Sequence, residues 1–545
     1  VGGLTERGER SGPDADVLVV GAGPVGLVLG CELVQQGVRV RVVDAARGHT
    51  GHSRANVVWP RNLELLDRIG VSAELAAEGH HLQGTAFYSD GELLAAARLS
   101  ALDDTPYPFA VMIAQERTEQ ILERRLRELG GTVERGVVLR SLAAEGPDGL
   151  PRAVLEHPDG RREETSPGWV LGADGAHSTV RKELGIGYAG PQVDVSFAIT
   201  DALLETTLGD DLSHYCYSPN GAIVLGPMGG GVFRIAVNVP HDAYSDDNPP
   251  RLDVFQELVD KRAAGRTTVR ELLWSGAFRV RVRLAEAFRR GRCFLVGDAA
   301  HVISPAGGQG MNTGMQDAVN LAWRLGGVLR GALSPDALDD YDTERRTTSQ
   351  LVSRATALMT RAALAGTADE VAERDAAFRA ADASGLFQRW MAPQLGQTDT
   401  HYGRPDGAVA PAAPVSAADW LAEFSATVPE GRVGVGGRLP LLTGAPDGPS
   451  WDGASWPRVD RDRRTVLLWP GEDGSGAEDC ARVRATLGEA TAALTLDARV
   501  PDALRRALGP AAAAALIRPD GHLLARTALD AAEIHARLEV PAHAD

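Results

Sequence analysis

DVLVVGAGPVGLVLGCELVQQGVRVRVVD, residues 16–44, decides how the rest of the 545-residue chain is read. An apolar strand-like run, Val17 to Val20, enters Gly21-Ala22-Gly23-Pro24-Val25-Gly26. A helix-like stretch closed by Gly37 follows, then a second strand ending on Asp44. This is the order of a dinucleotide-binding βαβ unit. Gly21 permits the tight turn, Gly23 lets backbone approach a pyrophosphate, and Gly26 lets the helix lie close on the sheet. Unpaired N–H groups at the helix start carry roughly half a positive charge and suit a phosphate. Asp44 falls where a carboxylate bonds a ribose hydroxyl. The motif alone leaves NAD, NADP and FAD open.

Working outward, the length corresponds to about three or four domain equivalents. With 44% hydrophobic and 24% charged residues the chain has ordinary globular composition. Its formal net charge of -17 argues against nucleic acid or an anionic membrane surface as partner. Cys31, Cys216, Cys293 and Cys480 form no CxxC and no metal-ligand spacing, so no metal site is expected and they read as buried thiols of a cytoplasmic protein. No apolar run approaches the roughly 18 residues of a membrane span. Residues 1–14 read as a disordered polar lead.

Beyond Asp44, a loop carrying Arg54 precedes a helix from Pro60 to Ile69, stopped by Gly70, with Arg61 at its start as a possible solvated charge. Val111 to Ala114 reads as a strand delivering Gln115 to a helix, and Thr132 to Leu142 as one further strand. A hairpin follows around Pro158-Asp159-Gly160. Trp169 to Leu171 then enters Gly172-Ala173-Asp174-Gly175. From about Gly187 to Arg283 the pattern is strand-like, with Ala222–Leu225 and Val232–Val239 paired around Gly226 to Gly231. Cys293 to His301 returns to a buried strand ending in Gly297-Asp298, and Ser304 to Asn312 opens a long helix. Ser334-Pro335 starts a further helical stretch. A Pro- and Ala-rich linker at 404–415 precedes a small α/β segment with a strand at Thr465–Trp469, a helix at Ala477–Leu487 and a hairpin around Arg518 to Gly521.

Three ordered motifs now stand together: GAGPVG, GADGAHSTVR at Gly172 to Arg181, and VGDAAHVISPAGGQGMNTGMQDAVNLAWRL from Val296 to Leu325. With LDDYDTERR at Leu338 to Arg346, the combination resembles the single-component (class A) FAD-dependent aromatic monooxygenases, in the phenol-hydroxylase-like branch that includes aromatic polyketide hydroxylases of antibiotic biosynthesis. The resemblance implies an α/β protein. A Rossmann-like FAD-binding domain (15–186 and 284–400) carries an inserted, mainly β substrate domain (187–283, with contributions from about 80–110). A C-terminal thioredoxin-like domain (416–545) follows, without CxxC because Pro470 to Gly474 stands where that motif would be.

By the same resemblance Gly21, Gly23, Pro24, Val25, Gly26 and Asp44 hold the ADP half of FAD. Asp298 bonds the ribityl chain, as suits a carboxylate that only accepts hydrogen bonds. The backbone N–H groups of the run Gly307 to Asn312, with Gly308, Gly310, Met311 and Asn312 as the candidate contacts, face the flavin pyrimidine edge, where a helix N-terminus favours developing negative charge. Pro305 lies beside the flavin's reactive carbon, Gln115 touches the flavin, and Asp174 serves both the pyrophosphate region and NADPH use. Arg54 lies near flavin and substrate, so Arg54 and Pro305 are the candidate catalytic residues. His301 reads as structural, and Ser304 as a structural hydroxyl in a position where relatives carry a second proline.

The implied reaction has NADPH, or NADH, reduce the flavin. O2 then adds as a C4a-hydroperoxide, and one oxygen atom enters a polycyclic polyketide-like or phenolic substrate. Tyr217, Met228, Trp274 and Phe278 are candidate pocket residues in the inserted sheet, with core packing the alternative for each. A monomer or homodimer binding a small aromatic molecule is expected. Baeyer–Villiger oxidation of a polyketide ketone is the nearest alternative, and a non-catalytic flavin-binding regulator the alternative from another class. A flavin disulfide reductase lacks its CxxC here, and a flavin halogenase its Trp-x-Trp motif, since no two of the nine tryptophans are two residues apart.

Overall fold

The computed structural model describes residues 13–49, 51, 55–190, 192–240, 243–245, 247–402, 416–426, 435–440, 442–443, 458–460, 463–487, 492–496 and 500–539. The nucleotide-binding layer uses Val17–Val20 (β1), Pro24–Gln35 (α1), Val40–Asp44 (β2), Gln115–Glu128 (α2), Val133–Arg135 (β3), Trp169–Gly172 (β4), Arg289–Arg290 (β5), Cys293–Leu295 (β6) and Gly310–Leu329 (α3). Its sheet order is β5-β6-β4-β1-β2-β3, with the run from β6 to β3 parallel. β1 has all four side chains buried because α1, packed against α3, and the three-stranded sheet, through Leu139, Leu142, Ala153 and Leu155, share its core, the usual reason a central parallel strand is apolar on both faces. The stretch expected as one strand at Thr132 to Leu142 is two. After β3, Gly136 turns at φ 75° and Val138–Ala143 joins a different, three-stranded sheet. Asp14, expected in the disordered lead, is tied down, its carboxylate accepting from Thr165 Oγ1 and Ser166 N.

A second sheet has seven strands in the order 267–281, 192–206, 232–239, 221–229, 212–218, 84–89 and 92–98. The hairpin at Gly84–Arg98 thus comes from far earlier in the chain, joined to Leu212–Ser218 by the sheet's one parallel pairing among the described strands. The run Gly226 to Gly231, expected as a loop between two strands, continues the strand to Gly229 and turns only at Gly230 and Gly231.

Period-two alternation gives this sheet two working faces. Ala198, Cys216, Ile223, Leu225, Ile235 and Val237 pack on one side with Phe255 and Val259 of helix Leu252–Arg262. Their alternate neighbours Phe197, Tyr215, Tyr217, Val224, Arg234 and Ala236 look the other way, toward the nucleotide-binding layer.

Thr465–Trp469 and Ala477–Leu487 fall where the sequence reading puts them. The strand sits in a four-stranded sheet of order 492–495, 465–469, 513–517 and 523–527. This segment is fastened through the Arg518 to Gly521 turn. Arg61 Nη2 donates to Asp520 O and Arg68 Nη1 to Pro519 O, both at 2.5 Å, while Arg518 grips Glu344 at 2.6 and 2.9 Å. Arg61 is therefore buried rather than solvated. The linker at 404–415 lies outside the described residues. All four cysteines are buried, and no helix among the described residues is long and apolar enough to cross a membrane.

Candidate active site

Parallel pairing aligns the strand ends that carry the three motifs. Val20 pairs with Gly172 and Gly172 with Leu295, so Gly21, Ala173 and Val296 leave the sheet side by side, although the first and last are far apart in sequence. Ligands of open α/β sheets bind at this carboxyl edge.

The three glycines behave differently. Gly21 has φ 104°, and a Cβ there would sit 2.4 Å from Ala173 O. At Gly26 a Cβ would lie 1.9 Å from Gly21 O. Both positions are closed by protein. A Cβ on Gly23 would meet nothing within 4 Å, which leaves an open cradle at the start of α1. Beside it, Asp44 accepts from Ala22 N at 2.5 Å and Ala46 N at 2.7 Å, each oxygen keeping a lone pair for a hydroxyl donor.

Across the cradle, Asp298 is the exposed residue in a run otherwise buried from Cys293 to His301. A cavity of about 660 Å³ connects Gly23, Pro24, Val25 and Asp298 with Gln115. It continues past Pro305, Gly308, Gly310 and Met311 to the inward face of the seven-stranded sheet. Gly310 and Met311 belong to the first turn of α3, whose N–H groups have no intrahelical acceptor. An open glycine cradle, a helix start and a carboxylate around one cavity fit a dinucleotide carrying a flavin.

Several of the singled-out side chains also make hydrogen bonds within the protein. Asn312 is buried, and its amide donates to Val57 O and Gly308 O while accepting from Trp59 N, so its side chain braces the glycine run. Asp174 accepts from Ser178 Oγ, Thr179 N and Val180 N, capping the helix Thr179–Glu183. Burial pushes the Asp174 carboxyl up, against those hydrogen bonds. Gln115 lies on the cavity wall, accepting from Ala55 N and donating to Glu119. Ser304 bonds Thr360 Oγ1 at 2.7 Å, consistent with a structural hydroxyl. Arg54 lies outside the described residues.

On the sheet side the cavity meets Tyr217 and Phe278, the latter stacked with Phe197 at 6.4 Å between ring centres. Met228 and Trp274 do not line it. The register slips between Pro227 and Gly229, which breaks the alternation at Met228. Trp274 spends its indole N–H on Asp201 Oδ2 at 2.6 Å, where Asp201 also pairs with Arg234. Sequence reading missed Tyr215 and Arg234. Burial pushes the Tyr215 phenol up to about 12, with the Gly307 backbone pulling the other way, so this ring reaches the glycine run from the opposite sheet. The alternation Tyr215-Cys216-Tyr217 and Arg234-Ile235-Ala236-Val237 is the signal that marks them as members of one face.

This architecture defines a flavoprotein with a roofed site. A family model described as FAD binding domain matches residues 14–356, and the chain belongs to that family: it is an FAD-dependent monooxygenase of the class A aromatic hydroxylase type. It is 35% identical to the 6-methylpretetramide 4-monooxygenase of Streptomyces rimosus over 94% of this chain and 91% of the relative. It is 34% identical to the pentachlorophenol 4-monooxygenase of Sphingobium chlorophenolicum over 64% of each chain. Among solved structures, the OxyS anhydrotetracycline hydroxylase of Streptomyces rimosus superposes with a TM-score of 0.68 at 27% identity, covering 94% of this chain and 96% of that one. Aklavinone-11 hydroxylase, solved as a ternary complex with FAD and aklavinone, superposes with a TM-score of 0.66 at 25% identity, covering 97% and 99%.

Proposed function

We propose that the protein hydroxylates a polycyclic phenolic substrate of polyketide type, consuming O2 and NADPH, with NADH the second choice of reductant. The observation that carries this reading is the single cavity running from the Gly23 cradle to an aromatic wall of Tyr215, Tyr217 and Phe278. Its mixture of aromatic walls and few polar groups suits a planar apolar ligand with sparse oxygen substituents. The relatives that act on tetracycline-type and aklavinone skeletons support the substrate class, and their names support hydroxylation over Baeyer–Villiger oxidation.

Bound FAD supplies the redox chemistry and the activation of O2. The chain's own residues position and protect. Gly23 admits the pyrophosphate, Asp44 takes the adenosine ribose and Asp298 the ribityl hydroxyls. The start of α3 would favour a negatively charged edge of the bound cofactor by about 0.3–2 kcal/mol. Pro305 presents no N–H to the reacting edge, and the seven-stranded sheet excludes water. The segment at 15–186 and 284–400 serves as the FAD domain and 187–283 as the substrate domain. The C-terminal segment, through its described four-stranded sheet and the Arg518 to Gly521 turn, serves as a redox-inert packing unit of thioredoxin-like type.

The test is NADPH oxidation and O2 uptake by the purified holoenzyme with 1,8-dihydroxyanthraquinone and simple phenols, with product mass read after labelled O2. Incorporation of one labelled oxygen into a phenolic ring supports the reading. A yellow protein that never oxidises NADPH, or that inserts oxygen into a ring ketone, refutes it.

A further inference from the structure

Asp317 and Arg345 are both fully buried, and they stand directly behind the loop that carries Asp298. Asp317 Oδ2 accepts from Gly297 N at 3.1 Å and faces His301 Nε2 at 2.6 Å. Its Oδ1 accepts from Arg345 Nε at 2.6 Å. Gly297 and His301 bracket Asp298, the one residue of the run that is exposed. Burial works against a charged Asp317, but His301 and Arg345 together hold its carboxyl below the usual range.

Arg345 is itself held. It donates to Thr313 O at 3.2 Å on α3 and to the Tyr402 hydroxyl at 2.9 Å. Tyr402 packs against His522 with ring centres 4.4 Å apart, lies 4.7 Å from the Arg518 guanidinium, and donates its N–H to Gly436 O at 2.8 Å. An unbroken series of contacts therefore joins the C-terminal turn Arg518 to His522 with both sides of Asp298.

A buried ion pair is poor value for stability alone, because desolvation offsets much of the attraction and an apolar pair of similar volume does as well. What an apolar pair cannot do is fix the direction of the Gly297 N–H and the tilt of the His301 ring at once. Those two constraints fix both ends of the short turn Asp298-Ala299-Ala300, and with them the direction in which Asp298, next to Gly297, points.

We propose that Asp317 is a positioning residue for Asp298, backed by Arg345 and Tyr402, so that the C-terminal turn takes part in aiming the cofactor-binding carboxylate. This rests on the reading of Asp298 as a group that holds FAD.

The experiment is a double-mutant cycle on FAD affinity. Apoprotein of the wild type, Asp298→Asn, Asp317→Asn and the double variant is titrated with FAD, following flavin fluorescence, with apoprotein unfolding measured alongside. Each single substitution is expected to raise the Kd at least about tenfold, as for hydrogen bonds to charged groups. The double variant should be no weaker than the weaker single, because residues acting through one another are not additive. If the two factors multiply, Asp317 acts independently of Asp298 and the inference is overturned. If Asp298→Asn alone leaves the Kd unchanged, the FAD role of Asp298 falls and the inference with it. Should Asp317→Asn fail to fold, Tyr402→Phe decides, since it keeps the buried pair and removes one acceptor from Arg345. A loss of about three- to tenfold in the wild-type background, absent in Asp298→Asn, supports the inference, and an equal loss in both backgrounds overturns it.

Discussion

Gly23→Ala and Gly26→Ala add the same methyl group three residues apart and should have opposite consequences. At Gly23 the backbone is extended, with φ -71° and ψ -178°, and the new Cβ meets no protein atom within 4 Å. Alanine there is unstrained and removes unfolded-state freedom, so the apoprotein should gain about 0.4–1 kcal/mol. The methyl instead occupies the space a pyrophosphate needs. Overpacking of about 1–3 kcal/mol then falls entirely on the ligand. FAD affinity should drop by about ten- to a hundredfold.

At Gly26 the Cβ would lie 1.9 Å from Gly21 O and 2.9 Å from Gly21 C, both backbone atoms that no rotamer change can move. The turn and α1 must separate, at a cost toward or beyond the upper end of about 3 kcal/mol for overpacking. Urea unfolding of both apoproteins and FAD titration of each give the two axes. A Gly23→Ala protein that binds FAD like the wild type refutes the cradle, and a Gly26→Ala protein of unchanged stability refutes the packing argument.

Acid should loosen the C-terminal attachment. Burial pushes His522 down to about 4 against an ordinary value near 6.5, so the unfolded chain binds a proton in that window that the folded one refuses. Stability is then lost as pH falls from about 6.5 to 4, by up to about 3 kcal/mol, and His522→Asn should flatten this part of the unfolding-versus-pH curve. Asp174→Ala should cost about 1–2 kcal/mol in chemical unfolding, as the loss of a helix cap. Phe278→Ala should raise the Kd of an aromatic probe about tenfold, read by perturbation of the flavin spectrum, whereas Met228→Ala should leave that Kd unchanged.

The glycine turn after β1 was legible because its chemistry is local. A strand, three glycines at fixed offsets, Pro24 at the first helical position and a terminal acid all act within 29 residues, residues 16–44. The same holds for Thr465–Trp469 and Ala477–Leu487, whose short-range patterns match the observed bounds. The roof of the site was only half legible. Alternation marks one face of a strand, yet the bulge at Pro227 to Gly229 removes Met228 from that face while Tyr215 and Arg234 keep their places.

What the sequence by itself determined is the set of short motifs and, through their order, the class of cofactor. What only the tertiary structure decided is how those motifs are divided between binding and bracing. The side chains of Asn312 and Asp174, within motifs read as cofactor-binding, close hydrogen bonds inside the protein, which the motifs themselves do not show. Arg61, for which a solvated charge is one of two open readings, is buried against a turn 459 positions away. Such roles follow from which groups folding brings within hydrogen-bond reach, and a buried polar group must take whatever partner the long-range packing supplies.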